Sequence, residues 1–160
     1  MSDLGPGVPG EPGYFFTDPE ARTDPQDPPR FVSVDEILGL HPAGPGLTLR
    51  PVFGRNLTMS FVSMEPHTEA PVHQHAEEQI GTIIEGSYEF DLDGEKRVVR
   101  KGDVYVVPPW VPHGAVTHDE PVLALDVFSP PRAGFRELME QALEERDAAA
   151  DTKDERAQPS

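Results

Sequence analysis

Three histidines in this chain stand at spacings that suit a metal ion. His73 and His75 lie two apart in PVHQHAEEQ, a run that reads as a strand. Residues i and i+2 of a strand point to one face, so both imidazoles aim at the same place. His113 follows in GDVYVVPPWVPHGAV, again at a strand edge. Neutral imidazoles with oxygen donors suit Mn, Fe, Ni, Cu or Zn rather than Mg or Ca. The chain has no cysteine, so a thiolate site and a disulfide framework are both excluded.

The elements that must position these histidines are short strands. Leu47–Pro51 and Leu57–Glu65 come first, the second with Leu57, Met59 and Phe61 as its apolar face against Thr58 and Ser60. Further strands are expected at Val72–His75, Gln79–Glu85, Ser87–Leu92, Lys96–Arg100, Val104–Val107, His113–Thr117 and Val122–Phe128. Their connectors are turn pairs such as Glu85-Gly86, Asp93-Gly94 and Gly102-Asp103. Closely spaced strands with no helix between them imply an all-β sandwich or barrel. Ser33 and Glu36 have capping-box spacing, which predicts a short helical turn ahead of the strands. After Ala133 the period changes. Phe135, Leu138, Met139, Ala142 and Leu143 form one apolar stripe of an amphipathic helix, expected to pack on the outside of the barrel or on a partner.

Composition sets the outer limits. The first thirty residues carry seven prolines and four glycines, and the last ten are polar. The expected organisation is therefore an arm-like or disordered segment over 1–30, a barrel over 31–131, a helix over 132–150 and a disordered tail over 151–160. A net charge of −16 argues against nucleic-acid binding and requires any anionic substrate to find a local positive group. No apolar run reaches bilayer length and the N-terminus lacks signal-peptide character, so no membrane association and a cytoplasmic location are expected.

The histidines belong to a longer pattern. His73-x-His75-x3-Gln79-x6-Gly86 is followed by Gly102-x5-Pro108-x-Trp110-x2-His113. This resembles the two motifs of the cupin superfamily, G-x5-HxH-x3,4-E-x6-G and G-x5-PxG-x2-H-x3-N. Gln79 stands in the glutamate slot, Trp110 in the second glycine slot and Thr117 in the asparagine slot, while His67 replaces the leading glycine. The resemblance implies a double-stranded β-helix, or jelly-roll barrel, pairing as a homodimer. It also implies one divalent first-row transition metal (Mn, Fe, Ni or Zn) held by His73, His75, Gln79 and His113. A slip of one residue would turn Glu78 inward instead of Gln79.

A second resemblance lies in LDVFSPPR. Asp126-x-Phe128-Ser129-Pro130-x-Arg132 is similar to the segment after the last strand in small cupins of the KdgF type. It implies an enzyme that linearises a 4,5-unsaturated uronate, a small sugar acid, to a 4-deoxy-5-keto acid. Asp126 would move a proton, Arg132 would clamp the substrate carboxylate and Phe128 would form an apolar wall. Ala133-Gly134 departs from that type, which has acidic residues there. Two other classes fit the same barrel: a dioxygenase or a biosynthetic cyclase or isomerase acting on a small aromatic or ketone, and a non-catalytic ligand-binding cupin.

Overall fold

A computed structural model of the chain describes residues 24–157. The expected arm over 1–30 lies largely outside the described residues. The chain divides into two units between Phe31 and Val32, and among the described residues every strand and helix belongs to the second. Among the described residues a 3-10 turn at Val34–Glu36 precedes nine strands. They are β1 (Leu47–Phe53), β2 (Thr58–Met64), β3 (Glu69–His73), β4 (Glu78–Glu85), β5 (Ser87–Leu92), β6 (Glu95–Arg100), β7 (Val104–Val107), β8 (His113–Val116) and β9 (Val122–Ser129). The strands form two antiparallel sheets, one in the order β1-β2-β9-β4-β7 and the other β3-β8-β5-β6. This is the expected all-β barrel with a C-terminal helix. The strand pattern follows from the sequence wherever alternation is clean: Tyr88 and Phe90 of β5 are buried, while Ser87, Glu89 and Asp91 are not.

Four local expectations need correction. The strand expected to carry both His73 and His75 ends at His73, and His75 lies in the connection to β4. The β3–β8 register shifts between Ala70 and His73, so ladder pairing closes with His73 directly opposite His113. In β2 the period is the expected one but the face is reversed. Thr58 and Ser60 are fully buried, whereas Met59 and Phe61 are only half-buried. The inward face carries polar groups here because it abuts Asp126 and Arg132. Ser60 pairs with Asp126 across β9, and the Thr58 Oγ1 accepts the Arg132 N–H at 3.0 Å. Ser33 caps the 3-10 turn through its backbone position, without a side-chain hydrogen bond. The C-terminal helix α1 runs from Ala133 to Ala157, through the residues expected to form the start of a polar tail.

Three motif positions have a backbone reason. Gly86 and Gly102 have φ of +77° and +97°, a region that L side chains rarely adopt. Trp110, in the motif's other glycine slot, keeps the glycine-like backbone at φ +65°. Its N–H donates to the His75 carbonyl at 2.7 Å, tying the two histidine-bearing stretches together. Thr117, in the asparagine slot, is buried. Its hydroxyl accepts the Thr68 N–H at 2.9 Å and donates to the Glu65 carbonyl at 2.5 Å, which fastens the loop between β2 and β3.

In the barrel wall, Gly81 of β4 lies opposite Tyr105 on one side and Asp126 on the other. A Cβ at Gly81 would stand 2.1 Å from Asp126 Oδ1 and 2.2 Å from the Tyr105 ring. Those neighbours are buried side chains hydrogen-bonded to each other and cannot retreat cheaply. Gly81→Ala is therefore expected to lower the stability of the domain by about 1–3 kcal/mol, read as a lower denaturant midpoint at unchanged m-value.

Candidate metal centre

The three imidazoles converge. His73, His75 and His113 each offer a ligand nitrogen, and these nitrogens lie within 4.8 Å of one another. The His73 and His113 rings are tilted by 50° with centroids 4.4 Å apart, and the His75 and His113 rings meet edge to face at 4.9 Å. The backbone decides which nitrogen faces inward. His73 Nδ1 is 2.8 Å from the Pro71 carbonyl, His75 Nδ1 is 3.0 Å from the Glu77 carbonyl and His113 Nδ1 is 2.9 Å from the Val111 carbonyl. A carbonyl can only accept, so each Nδ1 carries the hydrogen and each Nε2 presents a lone pair. This is the arrangement that orients histidine ligands in metal sites.

Gln79 joins them from the other sheet. It is buried and its neighbour Glu78 is exposed, so the amide is the group that faces the barrel interior. Its Oε1 stands 3.1 Å from His75 Nε2. Two ligand atoms about 2.1 Å from one ion and at right angles to each other would be about 3.0 Å apart. His113 Nε2 is buried and has no hydrogen-bond partner, a costly state for a polar atom with nothing to bind. The converging lone pairs, the oxygen at ligand spacing and the orphaned nitrogen all fit a transition-metal ion. Burial holds His113 in its neutral, ligand-competent form, with a pKa lowered to about 4. His75 is shifted the same way, by burial first and by the Arg132 charge second.

The acid, the aromatic and the arginine lie around this centre. Asp126 and Phe128 are buried neighbours in β9, and Phe128 packs edge-on against His75 with ring centroids 5.6 Å apart. Asp126 accepts the Tyr105 hydroxyl at 2.5 Å and is also hydrogen-bonded by Gln79. Burial raises its pKa to about 6 against these two hydrogen bonds. Arg132 lies just before α1. Its Nη1 donates to Glu77 Oε2 at 3.0 Å, its guanidinium stands over the Phe135 ring at 5.4 Å, and its Nε is buried without a partner.

Glu77 is the group that sequence reasoning missed. It is buried between Arg132 and His75, with Oε2 3.4 Å from His75 Nδ1. The available signal was its place two residues before Gln79. The helix also differs from its expected place outside the barrel. Phe135 and Leu138 line the same cavity as His73, Gln79, His113 and Asp126, so α1 walls the site. That cavity measures about 350 Å³, and most of its remaining lining is apolar, including Leu47, Leu49, Val62 and Phe90.

The Asp126 shift has a signed consequence for the metal-free protein. The folded chain holds the protonated carboxyl more firmly than the unfolded chain does. That contribution is complete below the unfolded pKa of 3.8 and is lost as the pH rises through about 6. Asp126→Asn removes the loss. The stability of the variant relative to wild type, both free of metal, is expected to increase between pH 4 and pH 7 in denaturant titrations.

Comparison with known proteins agrees with this geometry. The Cupin domain family model matches residues 60–128. Over 64 residues the chain is 39% identical to the pectin degradation protein KdgF of Dickeya dadantii (strain 3937), covering 39% of this chain and 58% of that one. It is 38% identical over 64 residues to H2HPP isomerase of Bacillus subtilis, covering 39% of this chain and 27% of the isomerase. The chain thus spans less than two thirds of the length of these curated relatives. Among solved structures, KdgF from Halomonas sp. superposes with a TM-score of 0.61 at 31% identity, covering 68% of this chain and 99% of that one. With nearly the whole of that structure matched, and with both histidine motifs in register, this chain belongs to the cupin superfamily as a cupin of the KdgF type.

Proposed function

We propose that this protein is a metal-dependent cupin enzyme that linearises a 4,5-unsaturated uronate or a similar small sugar acid. The observation that carries the reading is that His73, Gln79, His113, Asp126, Phe128 and Arg132 line one cavity, although they come from both sheets and the approach to α1. His75 stands beside them, in contact with Gln79 and Phe128. His73, His75, Gln79 and His113 would hold one divalent ion of Mn, Fe, Ni or Zn. Four neutral ligands leave its charge intact, and when bound it supplies a Lewis acid for substrate oxygen.

Linearisation is a net isomerisation. The anomeric hydroxyl gives up its proton as the C1–O5 bond breaks, and C4 gains a proton as the resulting enol becomes the C5 ketone. Asp126, buried beside Gln79, holds and moves that proton. Arg132 has already committed one donor to Glu77. Its buried, unpaired Nε–H and remaining donors are left for a substrate carboxylate. Phe128 closes the apolar side.

A second reading has an observation of its own. A cavity lined by Leu47, Leu49, Val62, Met64, Phe90 and Phe135 suits an apolar-bodied substrate better than a polyhydroxylated one. An isomerase, cyclase or dioxygenase acting on a small aromatic or ketone would match it, and similarity to H2HPP isomerase supports the first of these. Pairing of two copies through the outer face of the five-stranded sheet belongs to the same proposal. Its support is the exposed apolar set Ile80, Ile84, Val104 and Val106 on β4 and β7. Among the described residues no helix is long and apolar enough to cross a membrane.

The deciding assay is anaerobic NMR of the vinyl proton of an unsaturated uronate monomer with Zn- or Ni-loaded protein. Loss of the signal is expected with loaded wild type and not with His113→Ala. With the metal site saturated, Asp126→Ala is expected to cut turnover by about 10²–10⁴-fold. A persistent vinyl signal with metal bound would reject the sugar-acid reading, and oxygen uptake with aromatic substrates would then distinguish the dioxygenase.

A further inference from the structure

Behind Gln79 lie two buried tyrosine hydroxyls that the proposed chemistry does not use, and they lead to Asp126. Tyr88 of β5, Tyr105 of β7 and Asp126 of β9 are all buried. The Tyr88 hydroxyl donates to the Tyr105 hydroxyl at 2.8 Å, and the Tyr105 hydroxyl donates to Asp126 Oδ1 at 2.5 Å. A phenol has a single hydrogen, so once Tyr105 spends its own on Asp126 it can only accept from Tyr88. The direction of the chain is therefore set from Tyr88 to Asp126, across the two sheets.

The chain ends at an amide whose orientation matters. A carboxylate can only accept, so Asp126 draws the Gln79 NH2 toward itself. The amide is planar, and turning its NH2 to Asp126 leaves Oε1 for the opposite side, where it stands 3.1 Å from His75 Nε2. The reverse orientation would aim an N–H group at the metal position and abolish that ligand. Gly81 leaves the room this needs, since a side chain there would occupy the line between the Tyr105 ring and Asp126.

We propose that Tyr105, backed by Tyr88, is a positioning residue for the metal centre: through Asp126 it holds Gln79 with its carbonyl oxygen turned toward the histidines. This rests on the reading that His73, His75, Gln79 and His113 hold a metal ion. Without the Tyr105 hydroxyl the Asp126 carboxyl loses the donor that fixes its plane, and the Gln79 amide loses the acceptor that fixes its own.

Co(II) serves as the probe, with the full chain and no substrate. Its visible absorption reports the donor set, and competition with a chelator reports affinity. Tyr105→Phe removes one oxygen and keeps the ring. It is expected to weaken Co(II) binding by about 10- to 100-fold and to shift the absorption bands toward those of Gln79→Ala. Tyr88→Phe, one step further away, is expected to shift them in the same direction by less, and it carries the test if Tyr105→Phe does not fold. In a Gln79→Ala background neither tyrosine substitution is expected to weaken binding further, because the group they act through is gone. A merely structural role would give the same loss in both backgrounds. Unchanged spectrum and affinity in the tyrosine variants, or an equal loss in the Gln79→Ala background, overturns the positioning role. If wild type itself binds no Co(II), the metal-centre reading fails first and this inference falls with it.

Discussion

The hydrogen bonds from three imidazole Nδ1 atoms to backbone carbonyls are the constraint on which the rest of the site depends. Each acceptor lies within two residues of its histidine: Pro71, Glu77 and Val111. Such a short-range bond requires the chain to turn back on the ring, which it can do at a strand end or in a loop but not in the middle of a ladder. This accounts for His73 closing β3, His113 opening β8 and His75 lying free of either. It also gives the Trp110 N–H its importance. With His75 outside the ladder, that one bond to its carbonyl joins the His75 loop to the stretch that leads into β8.

A second division runs along the barrel interior. One end is packed with Ile83, Val122 and Ala124, as an ordinary core. The other holds Thr58, Ser60, Glu77, Gln79, Asp126 and the histidines, all with little or no access to water apart from His73. Buried polar groups are tolerated when they satisfy one another. Here Glu77 takes Arg132, Tyr105 takes Asp126 and Thr58 takes the Arg132 backbone. Among the described residues, the buried side-chain atoms left unpaired include Ser60 Oγ, His113 Nε2 and Arg132 Nε. The two nitrogens belong to residues lining the candidate site. The unpaired Ser60 hydroxyl has no account in this structure.

The barrel and the convergence of the histidines were legible in the sequence because spacing carries both. Turn pairs at Glu85-Gly86, Asp93-Gly94 and Gly102-Asp103 bound the strands, and the motif register distinguishes Gln79 from Glu78 where apolar residues on both faces cannot. What was illegible depended on contacts between distant segments. The inward face of β2 could not be read from alternation, since Met59 and Phe61 look like the core side until Asp126 and Arg132 are placed beside Thr58 and Ser60. Glu77 is an ordinary acid until Arg132 arrives from 55 residues away. The role of α1 as a wall of the cavity follows from where Phe135 and Leu138 land, and helical periodicity states only that they share a face.

Trp110 is the chain's one tryptophan, and it stands more than half exposed with its backbone bonded to His75. Indole emission from this protein therefore originates at a single point beside the candidate centre. An ion held at the candidate centre, or a loosened His75 loop, would be read by this one fluorophore, with no label and no other tryptophan to dilute the signal.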